Sequence, residues 1–318
     1  MLLIISKVLV VFIYIAVGFA ANKLRVLPSE SSRYFIDLIM EITVPCLMIS
    51  SITGRELDGN MYRNTILTFV LSMALYLIMM FLTSLFADHV FRDIPQQDRN
   101  VLASAMTGCN SGFMGYPVAK AVFGNTVFYY VVIQTIANNL YLFCMSIAHL
   151  HHKEQTASGR QSSRREILKS FFNITTIATI VAVVMLFASI RLPAFVMDIT
   201  TTIGDITIPL SMILVGIQLG GSDFGSLIRN RDLMITALAK LTLAPALAVL
   251  LLMPVPVDPI VKLTIVLSTS FPSAVIGVAV SAREHSNSRL MAEAVAASTM
   301  LSMITLPVWI IICTRLYL

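Results

Sequence analysis

"EITVPCLMI" occupies residues 41–49, and "DITIPLSMI" occupies residues 205–213. Five of the nine letters are identical, Glu/Asp and Val/Ile exchange at two more, and the proline recurs as Pro45 and Pro209. Both copies lie in stretches apolar enough to cross a bilayer. The surrounding chain has the same character: of 318 residues, 57% are apolar and 12% charged, against about a quarter charged in soluble domains. A membrane span needs about 20 mostly apolar residues. Ten segments meet that need: roughly 3–20, 33–52, 64–87, 100–123, 126–149, 169–189, 194–218, 231–253, 259–282 and 289–314. The expected fold is an all-α polytopic membrane protein.

The net charge of +5 does not point to nucleic acid, because the cations are sorted by loop. Fourteen Lys and Arg flank the loops after spans 1, 3, 5, 7 and 9, among them Lys23, Arg92, Arg164, Arg229 and Arg283, and six flank the other face. A Lys/Arg excess marks the cytoplasmic side, which places both termini outside the cell membrane. Lys7 ahead of an apolar run loosely resembles a signal peptide, but the run is longer than an ordinary signal core, so it is read as span 1. Cys46, Cys109, Cys144 and Cys313 fall inside spans with no paired spacing, which argues against disulfides and zinc. His149, His151 and His152 stand beside Lys153 without the spacing that would close a metal shell.

The polar stretch 151–168 reads as a cytoplasmic linker between residues 1–150 and 169–318, each with five spans. Five is odd, so the second half starts from the opposite side of the membrane. The paired nonapeptides are then the mark of an inverted repeat, an architecture of secondary transporters with sites near the midplane. Span 4, "ASAMTGCNSGFMGYPVAKAVFG", and span 9, "VLSTSFPSAVIGVAVSA", strengthen it. Setting Gly115 on Gly277 also pairs Ser111 with Ser273 and Thr107 with Thr269. Proline and glycine at mid-span interrupt a helix, and freed backbone groups are tolerated at that depth only inside protein or along a cavity. Close packing through small residues is the plainer alternative.

The runs "NSGFMGYPVAKAVFG", "IPLSMILVGIQLG", "KLTLAPALAVLLL" and "FPSAVIGVAVSAREHSNSRLMAEAVAASTMLSMITLPVW" resemble, in order and over nearly the whole chain, the auxin efflux carrier family in its bacterial, malate-permease-like branch. The resemblance implies ten spans in two inverted five-helix repeats, a fold similar to the bile-acid sodium symporters, and broken helices 4 and 9 that cross. It implies a scaffold and dimer surface from spans 1, 2, 6 and 7, an elevator movement of the rest, and organic-anion cargo such as malate or auxin. Asn110 matches the family's crossover asparagine and Pro272 its span-9 proline. Span 4 departs in having proline only at Pro117, which leaves its break uncertain by several residues.

The expected substrate contacts are Asn110, Ser111 and Gly112 in span 4 and Pro272 and Ser273 in span 9, where helix N-termini would present unpaired N–H groups to a carboxylate. Asn138 and Asn139 in span 5, further candidates for substrate binding, are adjacent amides at bilayer depth, about 100° apart on a helix, so one is expected to line the cavity or a cation site and the other to tie helices together. Ser298 and Thr299 stand at the corresponding place in span 10. Asp37 and Glu41 in span 2 and Asp198 and Asp205 in span 7 are intramembrane acids and so functional candidates by default. Glu41 and Asp205 are expected either to carry protons or to make interhelical contacts, with Lys240 of span 8 as a partner or an anion holder. Gln218 reads as a boundary residue. No GxSxG, HExxH or paired catalytic acid occurs, so no enzyme and no cofactor is expected. The remaining alternatives are an uncoupled anion channel or facilitator and a sodium-coupled symporter.

Overall fold

Helices account for all regular structure among the residues described by the computed structural model, which are 2–53, 59–142, 150, 174–188 and 190–318. The linker expected at 151–168, the histidines 149, 151 and 152, and Cys144 lie outside them. The elements are α1 (Leu2–Lys23), α2 (Ser32–Leu38), α3 (Val44–Ile52), α4 (Gly59–Val90), α5 (Gln96–Thr107), α6 (Tyr116–Val118), α7 (Asn125–Leu140), α8 (Ile174–Phe187), α9 (Ala194–Asp205), α10 (Thr207–Gly221), α11 (Phe224–Arg229), α12 (Arg231–Leu238), α13 (Ala244–Leu252), α14 (Pro259–Thr269), α15 (Ile276–Arg283) and α16 (Ser288–Tyr317).

Six helical stretches are long and apolar enough to cross a membrane: Ser6–Lys23, Ser29–Ile52, Gly59–Val90, Ala194–Gly221, Arg231–Leu252 and Ser288–Tyr317. They coincide with six of the ten expected spans. The other four fall short for identifiable reasons. The spans at 126–149 and 169–189 run into residues outside the described set. The spans at 100–123 and 259–282 are interrupted by backbone without helix at 108–110 and 271–274.

Three prolines explain where helices change character. Pro45, Pro117 and Pro245 each stand two residues after a π-helical turn, at Ile39–Thr43, Ser111–Gly115 and Ala239–Leu243. Proline has no N–H and clashes with the carbonyl four residues back, and the wider i→i+5 turn accommodates that missing bond. The carbonyl of Leu241, inside one such turn, accepts from the Trp309 indole N–H at 2.8 Å. Pro209 acts differently. It follows a break at Ile206 that divides span 7 into α9 and α10. The matched prolines thus both disturb their spans, by two distinct devices.

The chain divides into two compact units. The first comprises residues Met1–Ile66, Gly112–Ile133 and Phe172–Ser222, with α1 laid along α10 and α3 packed on α8 and α9. Small residues permit the close approach, since a Cβ on Gly18 would strike the Ile213 carbonyl and one on Gly216 the Ile15 carbonyl. The second comprises Leu67–Ser111, Gln134–Phe171 and Asp223–Leu318. Its core gathers Leu102 and Met106 of α5, Leu233 and Ala237 of α12, and Ala294 and Ala297 of α16. Side-chain caps fix its helix starts: Asp223, Asn230, Asp258 and Asn287 each accept from an N–H of the first turn, as N-cap residues do.

The α1–α10 contact makes a direct prediction. Gly216→Ala forces a methyl against backbone and should cost about 1–3 kcal/mol, read as a lower unfolding temperature of the purified protein. Gly59→Ala, where nothing lies within 4 Å, should leave stability unchanged or raise it.

Candidate functional site

Both interrupted spans contribute to one place in the second unit. The Asn110 N–H donates to the Pro272 carbonyl at 2.8 Å, so the irregular segment of one span is bonded to that of the other. Pro272 cannot donate in return, and its carbonyl would be orphaned without this bond. Under the register that pairs Gly115 with Gly277, the two irregular segments overlap at 109–110 and 271–272. The close crossing also needs Gly108, where a Cβ would lie 2.9 Å from Leu142 Cδ2 and 3.4 Å from the Ala274 methyl.

The expected ligands have distinct surroundings. Asn138 acts as a clamp: its Oδ1 accepts from the Cys109 N–H and its Nδ2 donates to the Cys109 carbonyl, both at 3.1 Å. One side-chain amide therefore replaces the helical bonds that the break removes. Ser273 ties the other side, its hydroxyl donating to the Ala105 carbonyl at 2.7 Å and its N–H to Ser298 Oγ at 3.1 Å. Thr299, beside Ser298, donates back to Val295. Ser111 Oγ meets Gln134 Oε1 at 3.4 Å, and Gln134 Nε2 donates to the Tyr76 hydroxyl at 2.6 Å. Asn110 is buried, and a Cβ on Gly112 would meet no atom within 4 Å. Asn139 is half-buried. Asn138 and Ser273 thus hold the crossover together.

Lys240 belongs to the same place. It sits on the π-helical turn Ala239–Leu243 with only 1% of its surface exposed. Its Nζ donates to the Thr107 carbonyl at 3.3 Å and to Cys109 Sγ at 3.1 Å. Thr107 is the last residue of α5, so the ammonium caps the carbonyl end of that half-helix, where the dipole favours a cation. No carboxylate pairs with it among the described residues.

The acids belong to the first unit. Asp37, Glu41 and Asp205 are exposed, and Glu41 stands on the π-helical turn Ile39–Thr43. Within the first unit, Asp205 Oδ1 accepts from Lys120 Nζ at 2.8 Å. Lys120 occupies the π-helical turn Ala119–Phe123, after the break in span 4. Its signal in the sequence is a lone lysine within "YPVAKAVFG", and an eye fixed on the span's centre passes over it. Tyr76 and Gln134 were likewise missed, since each looks like an ordinary member of an apolar run.

The family model described as "Membrane transport protein" matches residues 3–310. The chain belongs to this family, the auxin efflux carriers. It is a membrane transporter, embedded by several apolar helices. Among its relatives, an uncharacterized transporter of Methanocaldococcus jannaschii is 22% identical over 312 residues, covering 95% of this chain and 96% of the relative. An uncharacterized transporter of Methanothermobacter thermautotrophicus is 24% identical over 310 residues, covering 96% and 97%. The uncharacterized transporter YfdV of Shigella flexneri is 20% identical over 310 residues, covering 96% of each chain.

The clamp carries a prediction. Asn138→Leu keeps the volume but takes away the acceptor of the Cys109 N–H and one of two donors to the Cys109 carbonyl, which still accepts from the Ser111 N–H at 3.0 Å, at a cost of about 1–3 kcal/mol. Thermal unfolding of the purified variant in detergent should show the loss, and Asn139→Leu should show a smaller one.

Proposed function

We propose that the transporter is a secondary carrier of small organic anions, mono- and dicarboxylates of the malate or auxin type. One observation carries the reading: a lysine buried to 1% exposure at the meeting point of two broken spans, with no acid paired to it among the described residues. A buried, uncompensated ion costs several kcal/mol. An anion held at the crossover supplies the missing counter-charge, and Asn110 and Ser111 supply hydrogen bonds for its remaining oxygens. The α5 carbonyl end positions the cation, so it is ready when substrate arrives.

The mechanism we favour is alternating access of the elevator kind. It is supported by the partition of the chain: spans 1, 2, 6 and 7 fall in one compact unit, and most of spans 3, 8, 9 and 10 in another, each with its own packed interior. The crossover bonds that set the site all lie within the second unit. The matched breaks support two inverted repeats. The exposed carboxylates of Asp37 and Glu41 on an apolar span favour cover by a second copy, hence a homodimer. The loop cations favour a cell-membrane orientation with both termini outside.

The test is Lys240→Gln, compared with the unaltered protein in proteoliposomes loaded for counter-exchange of labelled dicarboxylates. Removing an uncompensated buried charge should hold or raise the unfolding temperature, while uptake falls at least about tenfold, equivalent to about 1.4 kcal/mol of lost binding. Saturating dicarboxylate should stabilise the unaltered protein, by about 2.7 kcal/mol at a hundredfold excess over Kd, and leave the variant unmoved. Unchanged uptake by Lys240→Gln would contradict the reading.

A further inference from the structure

The helix α4 carries a line of three buried hydroxyls, two of which the crossover bonds do not use. Thr68, Ser72 and Tyr76 recur every four residues, on one side of the helix, and are 0%, 1% and 3% exposed. The Thr68 and Ser72 hydroxyls have no hydrogen-bond partner. That is unusual on this helix, where Thr83 donates back to the Met79 carbonyl at 2.8 Å and meets Thr107 Oγ1 at 2.9 Å. Tyr76, by contrast, accepts from Gln134, and Gln134 reaches Ser111 at the crossover.

Buried hydroxyls without protein partners are rare in folded proteins, and ordered water is the usual partner in such places. Spacing favours it here. Residues four apart on a helix rise about 6 Å along the axis, a gap that one water spans with two hydrogen bonds of about 2.8 Å. A water between Thr68 and Ser72, and another between Ser72 and Tyr76, would each find at least two polar partners. Left dry, each hydroxyl would cost about 1–3 kcal/mol.

We propose that Thr68, Ser72 and Tyr76 form a hydrated track along α4 that ends on Gln134 and Ser111, with water as its ligand. Its use in transport rests on the anion-carrier reading: a carboxylate arriving at Ser111 exchanges its hydration shell for protein donors beside water rather than against apolar wall. The hydration itself does not depend on that reading.

Methanethiosulfonate ethylammonium reports it, because this reagent attacks the thiolate, which needs water to form. Thr68→Cys, Ser72→Cys and, as a dry control on the same helix, Leu75→Cys are reconstituted into liposomes, and labelling is followed by peptide mass, which separates these sites from the native cysteines. The track predicts labelling at 68 and 72 at least about tenfold faster than at 75. Equal, slow labelling at all three positions overturns it, and so does labelling at 68 alone, which would mark a crevice that stops short of Tyr76. Should the variants fail to assemble, hydroxyl-radical footprinting of the unaltered protein gives the same answer. Tyr76 should be oxidised several-fold faster than the buried Tyr116, and equal rates overturn the track. None of these readouts needs substrate, so failure of the track and failure of the anion reading are separable.

Discussion

A hydrogen bond between two backbones, from the Asn110 N–H to the Pro272 carbonyl, sits where two membrane spans give up their helices. Inside a bilayer an unwound segment is costly because water is not there to satisfy its polar groups. The protein answers each freed group with a fixed partner. Asn138 takes both polar groups of the Cys109 main chain, Ser298 takes the Ser273 N–H, Ser273 takes the Ala105 carbonyl, and Lys240 takes the Thr107 carbonyl. The partners come from spans 5, 8 and 10 as well as from the crossing spans. Opening the crossover would strand several buried groups at once, which makes it a rigid frame on which a ligand site can be built.

Charge is placed as economically as backbone. Glu41, Lys120 and Lys240 each stand on a π-helical turn, the kind of local distortion that helices keep at functional positions. Lys120 is paired with Asp205 in the first unit. Since 56% of the Asp205 side chain is exposed, screening limits what that pair adds to stability. Lys240, in the second unit, donates to a carbonyl and a sulfur, and no carboxylate pairs with it among the described residues. A partly buried lysine paired with a carboxylate and a fully buried one held by a carbonyl and a sulfur thus sit in different electrostatic surroundings.

Much of this was legible beforehand. Apolar length gave the helices, and the prolines and glycines of 108–117 and 271–277 gave the interruptions, because their effect on a helix is local and does not depend on what packs nearby. The uncertainty left by Pro117 resolves at Gly108–Asn110: the proline is accommodated by a π-helical turn inside the following helix and is not the break itself. Partner choice was less legible. Asn138 and Asn139 look equivalent in the sequence, and only helix rotation decides that Asn138 meets Cys109. Lys120, which the fold puts 2.8 Å from Asp205, gave no signal beyond a lone lysine in an apolar run. Tyr76 and Gln134 acquire meaning only through each other, and no spacing rule links residues on separate helices.

The crossing itself can be tested by covalent capture. Gly108 and Ala274 approach closely enough that a Cβ at 108 would lie 3.4 Å from that of Ala274, near the Cβ separation of about 3.8 Å in disulfides. Gly108→Cys combined with Ala274→Cys, oxidised in native membranes and digested, should yield a peptide pair linked between positions 108 and 274. Quantitative recovery of the two peptides unlinked, from protein that reaches the membrane and remains monodisperse, would show that spans 4 and 9 do not meet there and would contradict the account.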